Sequence, residues 1–240
     1  MTGRAKYFKH EFYPYNSLPQ IGYELLYNSL MGKNFSNVIQ WYEDNAQKYA
    51  NASSGLINNN LIKKFTNLLK SKGKILDAGC GPGRDSKVFC DLGFNVFGVD
   101  LSSNLLKIAS KKCPKSVFKK ANFLSLPFED EYFDGIWASA SLLHLENTDD
   151  VKKALNEFNR VLKRSGVLCV LVKQQMGKEK TSIVTDSLSK HNRFFQWFSK
   201  TEINNLLNEN NFSIIYLEDN YPDLAGREEV KWVIALAKKN

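Results

Sequence analysis

The run Lys74-Ile75-Leu76-Asp77-Ala78-Gly79-Cys80-Gly81-Pro82-Gly83-Arg84-Asp85 constrains this chain more than any other stretch. A short apolar strand passes straight into three glycines at alternate positions and then into a helical pattern, as a parallel sheet does where it builds a floor for a nucleotide-like ligand. Glycine lacks a Cβ, so a ligand can lie against the backbone at 79, 81 and 83, with the first amides of the next helix pointing toward it. Taken alone, the same spacing also describes a tight turn with no ligand. The neighbouring elements decide between the two.

After the glycines the chain alternates. Strands at 74–78, 95–99, 116–119, 133–138 and 167–172 are separated by helical patterns at 84–92, at 103–112 and from Asp149 to a stop at Gly166. The segments 212–218 and 230–237 read as strands joined by a loop too short for a helical crossover, so they pair antiparallel. This predicts an α/β fold: a doubly wound, Rossmann-like sheet of seven strands, mostly parallel, with a C-terminal antiparallel pair and a ligand crevice at the carboxyl ends of the strands. Upstream, Val38, Ile39, Trp41, Tyr42, Ala46 and Tyr49 fit one helix with an aromatic face, a break follows at 51–55, and 61–69 is helical. Residues 1–35 form an N-terminal extension and 36–240 the domain, with a long, mostly polar insertion at 174–200 that holds Arg193-Phe194-Phe195-Gln196-Trp197-Phe198.

Composition excludes several classes. With 43% apolar and 12% aromatic residues, 240 residues support one substantial core. There is no apolar run of membrane-spanning length, and the first residues are polar and aromatic rather than a secretory signal, so no membrane partner is expected. Cys80, Cys90, Cys113 and Cys169 have no close pairing, which suits neither a disulfide framework nor a metal site and points to a reducing, cytoplasmic compartment. The net charge of +8 is uneven: residues 60–120 hold 13 basic against 4 acidic side chains, and 121–150 hold 7 acidic and no basic ones. A basic half can attract nucleic acid, but Lys63, Lys64, Lys70, Lys72, Lys111 and Lys112 fall on polar faces or ends of helices, as solvated surface does. A nucleic-acid partner is therefore the less favoured reading.

Asp100 closes the second strand about 20 residues beyond the glycines, where an acidic side chain faces the same crevice and accepts hydrogen bonds from both hydroxyls of a ribose. Together, Ile75 to Gly83, then Val99-Asp100-Leu101-Ser102, then Leu126-Pro127-Phe128 ahead of Phe133-Asp134-Gly135-Ile136-Trp137, closely resemble the successive motifs of class I S-adenosylmethionine-dependent methyltransferases. The resemblance covers roughly residues 38–238, including the terminal strand pair that separates this family from nicotinamide dehydrogenases. The stretch Trp137-Ala138-Ser139-Ala140-Ser141-Leu142-Leu143-His144-Leu145 looks most like small free-standing bacterial members.

The resemblance implies S-adenosyl-L-methionine as cofactor and assigns positions to it. Gly79, Cys80 and Gly81 would line its methionine part, with Asp77 near its amino group; Asp100 and Leu101 would hold ribose and adenine. Asn122, beside Phe123, stands where the family commonly has an acidic residue that meets the adenine amino group, and a carboxamide oxygen can also accept that bond. Ala138 and Ser139 would sit beside the sulfonium. Tyr42 and Tyr49 match an aromatic helix that closes over the cofactor, or simply pack in the core. Arg84, Lys173 and Arg193 could meet the cofactor carboxylate or an anionic acceptor. Methyl transfer needs alignment above all, and a base only where the acceptor carries a proton; His144 is the candidate base, and His10 and His191 are less well placed. These motifs are specific for cofactor and poor for substrate. The expected function is methyl transfer to a small-molecule acceptor. The rivals are an RNA or protein methyltransferase, for which the Asn-Pro-Pro-Tyr and catalytic Cys motifs are missing, and a non-catalytic cofactor-binding protein.

Overall fold

The computed structural model describes residues 33–185 and 192–240. Its centre is β1 (Lys74–Ala78), an apolar strand with four of five residues buried, paired in parallel with β2 (Asn95–Asp100) on one side and β4 (Phe133–Ser139) on the other. Beyond these lie β3 (Val117–Lys120) at one edge and β5 (Leu162–Lys173), then β9 (Lys231–Lys239) and β8 (Phe212–Pro222) at the other, in the order β3-β2-β1-β4-β5-β9-β8. The last two are antiparallel to their neighbours. The chain therefore runs outward from β1 to β3, then returns to start β4 beside β1. That reversal opens a crevice at the carboxyl ends of β1 and β4.

The two faces of the sheet are filled by strand alternation. Leu76, Ala78, Ile136 and Ala138 point into one core layer with Phe158 of α6 (Thr148–Val161) and Leu206 of α7 (Lys200–Glu209). Ile75 and Trp137 point the other way, where Phe65 of α3 (Asn59–Thr66) and Phe89 of α4 (Arg84–Asp91) each pack against Trp137 with ring centroids 5.3 Å apart, and against each other at 5.8 Å. The helices start where the sequence supplies a side-chain acceptor. Asn58 takes the Leu61 amide, Ser102 the Leu105 amide at the head of α5 (Ser103–Lys112), Asn147 the Asp150 amide and Ser199 the Glu202 amide.

Several boundaries differ from the sequence reading. The helix expected across Val38–Tyr49 is two, α1 (Lys33–Asp44) and α2 (Ala46–Ser53), because Asn45 leaves helical geometry (φ −110°, ψ 18°) and turns its Nδ2 onto the Trp41 carbonyl. The break expected from residue 51 begins only after Ser53. The helix from 149 does not run to Gly166: it ends at Val161, and β5 begins at once, five residues before the expected 167. A register shift between Phe133 and Gly135 of β4, with Ser165 at φ 62°, absorbs the extra residues as a bulge. The insertion at 174–200 is not a polar excursion. It carries a two-stranded sheet, β6 (Thr181–Thr185) and β7 (Asn192–Gln196), whose Phe194 and Phe195, with Phe198 just beyond, are buried against the domain. The expected N-terminal extension lies outside the described residues as far as 32, and 33–35 open α1; His10 and His191 are also outside. No helix among the described residues is long and apolar enough to cross a membrane.

Candidate functional site

The glycine turn is held from below. The amides of Gly79 and Cys80 both donate to the Val99 carbonyl (2.9 and 3.0 Å), so the turn hangs on the end of β2. All three glycines have positive φ (78°, 52° and 71°), but for different reasons. A Cβ on Gly79 would stand 2.4 Å from that of Ser141, and one on Gly83 2.8 Å from that of Ala109 in α5; these two are close-packing glycines. A Cβ on Gly81 would meet nothing nearer than Tyr49 Cε1 at 3.8 Å, so this glycine faces open space. Its amide is fixed instead by Asp100, which accepts from Gly81 N–H through Oδ2 and from Ser102 N–H through Oδ1, both at 2.9 Å. Burial raises the Asp100 carboxyl above its ordinary range, and these amide bonds oppose that shift.

Beside the turn stand two more carboxylates. Asp77 is 3% exposed and accepts from Ser86 Oγ at 2.6 Å; burial, reinforced by nearby Asp85, pushes its pKa up to about 7. Asp85 is fully engaged: Arg84 grips both its oxygens (2.7 and 2.8 Å), and Trp137 Nε1 donates to it at 2.9 Å. Asp77 thus sits as a buried carboxylate short of a cation, whereas Asp85 has one.

These groups line a cleft, open in part to solvent, whose free space including that solvent is about 920 Å³. Of the candidate residues, Tyr42, Tyr49, Asp77, Gly79, Cys80, Gly81, Arg84, Asp100, Leu101, Phe123, Ser139 and His144 border it. Asn122 and Ala138 do not. Asn122 is buried and turns its Oδ1 back to the Leu124 amide (2.9 Å), leaving Ala121 and Phe123 as the wall; Ala138 is fully buried and Ser139 takes the rim. Lys173 and Arg193 border a second cavity, also about 920 Å³, which meets the first along a shared wall that includes Tyr42, Tyr49, Ser139 and His144.

The chain is similar to proteins of known family. Residues 76–170 match a methyltransferase domain model. A demethylmenaquinone methyltransferase of Renibacterium salmoninarum is 35% identical over 97 residues, 40% of each chain. A tRNA (carboxymethyluridine(34)-5-O)-methyltransferase of Arabidopsis thaliana is 34% identical over 128 residues, 52% of this chain and 30% of that one. The chain thus spans less than half the length of either relative. Among solved structures, the 1,6-didemethyltoxoflavin-N1-methyltransferase of Burkholderia thailandensis superposes with a TM-score of 0.67 at 19% identity, covering 93% of this chain and 91% of that one, and shows the same fold. Residues 76–170 are thus similar to a methyltransferase domain, and the described chain shares the fold of solved S-adenosylmethionine-dependent methyltransferases.

The cleft fits S-adenosylmethionine on its own chemistry. Gly81 leaves backbone open to a ligand, Asp77 is a carboxylate awaiting an ammonium group, and the Ser141 hydroxyl at the cleft wall is buried with no hydrogen-bond partner. Asp77, Gly79, Cys80 and Gly81 would hold the methionine part of S-adenosylmethionine; Asp100 and Leu101 would hold the ribose, with Phe123 against the adenine. When bound, the cofactor supplies a methyl group activated on a sulfonium.

The wall between the two cavities is a chain of hydrogen bonds. Arg193 donates to the Tyr42 hydroxyl (2.5 Å), Tyr42 lies 3.2 Å from His144 Nε2, and His144 Nδ1 lies 3.1 Å from the Phe194 carbonyl. A carbonyl only accepts, so Nδ1 carries the proton and Nε2 accepts from Tyr42. Burial, aided by the Arg193 charge, holds His144 down at about 3, and burial raises the Tyr42 phenol. His144 is therefore a neutral imidazole whose free lone pair is already occupied.

Sequence reasoning missed other parts of this site. Ser141 follows Ala140, which adopts φ 56°, a conformation no motif announces. Glu43 of α1 accepts from Ser102 Oγ (2.5 Å) and from the Asn104 amide (3.1 Å), fastening α1 across the start of α5. Tyr221, Asp223 and Arg227, which line the second cavity, lie in the loop side of β8 and have no local signal.

Proposed function

We propose that this chain transfers a methyl group from S-adenosylmethionine to a small-molecule acceptor bound in the second cavity, with 36–240 as the catalytic domain and 174–200 supplying part of the acceptor wall. The observation that carries the reading is that this concave cavity adjoins the cofactor cleft across Ser139 and His144, which would bring an acceptor bound there beside the cofactor. A solved neighbour of the same fold, the Burkholderia enzyme, holds 1,6-didemethyltoxoflavin together with S-adenosylhomocysteine, which supports a small acceptor in such a domain.

Each residue has a part in alignment, which is most of what methyl transfer asks of a protein. Asp100 fixes the Gly81 amide and so sets the height of the turn beneath the ligand. Tyr42 and Tyr49, 4.9 Å apart edge to face, cover the cleft from α1 and α2 and exclude water. With a pKa near 3, His144 takes no proton from a neutral alcohol at neutral pH. We assign it instead a positioning role: it orients the Tyr42 hydroxyl, and the acceptor enters with its nucleophilic lone pair already free.

The relationship to a tRNA methyltransferase favours RNA as the rival acceptor. Methyl-labelled S-adenosylmethionine, incubated with the protein and with separated small-molecule, RNA and protein fractions of a bacterial extract, discriminates. Label in the small-molecule fraction supports the proposal; label in RNA or protein alone refutes it, and cofactor binding with no transfer to any fraction supports a non-catalytic role.

A further inference from the structure

Two carboxylates line the second cavity, and both are spoken for. Asp85 is held by Arg84 and Trp137, as above. Asp223 accepts from Arg227 through both oxygens (2.8 and 2.9 Å) and from Trp232 Nε1 (2.9 Å). Lys173, the last residue of β5 and 6% exposed, lines the same cavity. Among the described residues its ammonium has neither an ion pair nor a hydrogen bond. Its neighbours are aromatic faces: the Phe195 ring centroid at 3.8 Å and that of Trp197 at 5.4 Å. Such contacts recover only part of what a charge loses on leaving water. Accordingly, burial first, then the charges of Arg227 and Arg193, lower its pKa to about 8.

A second donor in the same cavity is also unused. Asn58 is 5% exposed; its Oδ1 accepts from the Leu61 amide (3.0 Å) and the Tyr221 hydroxyl (3.1 Å), but its buried Nδ2 has no partner. Leu56, Leu171, Phe195, Leu224 and Trp232 give the lining a large apolar share; of its other cations, Arg84 is paired with Asp85, Arg227 with Asp223, and Arg193 donates to Tyr42. A buried cation and a buried amide donor without acceptors, beside apolar and aromatic walls, are what a site for an anionic oxygen group on an apolar body looks like before that ligand enters. Lys173 borders this cavity and not the cofactor cleft. The pairing Ser139↔Leu171 sets it two residues beyond the rim of β4, a rise of roughly 7 Å along the strand. The anionic group it would bind therefore lies at the far end of the acceptor, away from the cofactor.

We infer that the acceptor is a small apolar or aromatic acid, its carboxylate or comparable anionic oxygen group held by Lys173 and Asn58. This rests on the reading of the second cavity as the acceptor site. The test uses the full chain saturated with S-adenosylhomocysteine and follows thermal unfolding with benzoate, phenylacetate and the matching amides at millimolar concentration. The expected result is a rise in Tm with the acids and none with the amides, together with loss of the acid effect in Lys173→Met and Lys173→Gln, whose response to S-adenosylhomocysteine stays as in wild type. Equal responses to acids and amides, no response to either acid, or an undiminished acid response in the variants would each overturn the inference. Loss of the S-adenosylhomocysteine response in the variants would also overturn it, moving Lys173 to the cofactor. Failure of S-adenosylhomocysteine to stabilise even wild type would instead defeat the functional reading beneath it. Asn58→Asp, which keeps the Oδ1 acceptor but places a second charge in the cavity, should weaken the acid response and leave that of the amides unmoved.

Discussion

Replacing Asp100 by Asn separates the two tasks assigned to that side chain. In the free protein its carboxylate receives two backbone amides, from Gly81 and Ser102, each at 2.9 Å. Asn keeps one acceptor and turns an NH₂ toward the other amide, so one bond to a charged group, worth about 1.5–3 kcal/mol, is lost. Against this, burial disfavours the ionised carboxylate, and a neutral side chain escapes that penalty. The net loss of stability should be about 1–2 kcal/mol, a fall in Tm of roughly 2–8 °C for a chain of this size. Binding suffers more, because the ribose hydroxyls lose one charged acceptor and meet a weaker second one. That amounts to about 2–4 kcal/mol, or roughly 30- to 1,000-fold in Kd. Calorimetric titration with S-adenosylhomocysteine, alongside thermal unfolding of the free protein, measures both. A variant that binds within threefold of wild type would refute the ribose role, whatever its Tm.

Two further outcomes follow from the turn and its carboxylates. Gly79→Ala combines a positive φ with a 2.4 Å approach to Ser141, so it should cost about 2–5 kcal/mol of stability, whereas Gly81→Ala, in open space, should cost about 1–2 kcal/mol and act mainly on cofactor affinity; thermal unfolding and titration of both variants would show the split. Asp77, raised to about 7 in the free fold against an ordinary value of 3.8, binds more protons folded than unfolded, so its contribution to stability is complete below about pH 4 and lost as pH rises through 7. As partner of the cofactor's ammonium it must ionise, so S-adenosylhomocysteine binding at pH 6 should release a proton, visible as a dependence of titration heat on buffer ionisation enthalpy, and Asp77→Asn should abolish that release.

Much of the fold was legible because it is written in local signals: short apolar strands alternating with helical patterns, and a glycine turn. The errors fell where a long-range contact overrides a local one. Gly166 looks like a helix stop, yet Phe133 pairs with Leu162 and draws the strand back to the end of α6. The aromatic run 194–198 sits among polar residues, but its Phe195 packs against His144 and Lys173 from a two-stranded sheet that the sequence reading did not place. The cofactor side of the site was readable for the same reason as the turn: its residues cluster at strand ends in a fixed topology. Of the acceptor side only Lys173 and Arg193 were named from the sequence, since Asn58 and the 223–232 stretch come from distant segments and meet Lys173 only in the folded chain.

A crystal structure of the full chain with S-adenosylhomocysteine would examine the central claim most directly. The account predicts the ribose hydroxyls on Asp100, the amino group at Asp77 and the thioether sulfur facing the cavity that holds Lys173. A ligand seated outside the glycine turn, or a sulfur directed away from that cavity, would contradict it.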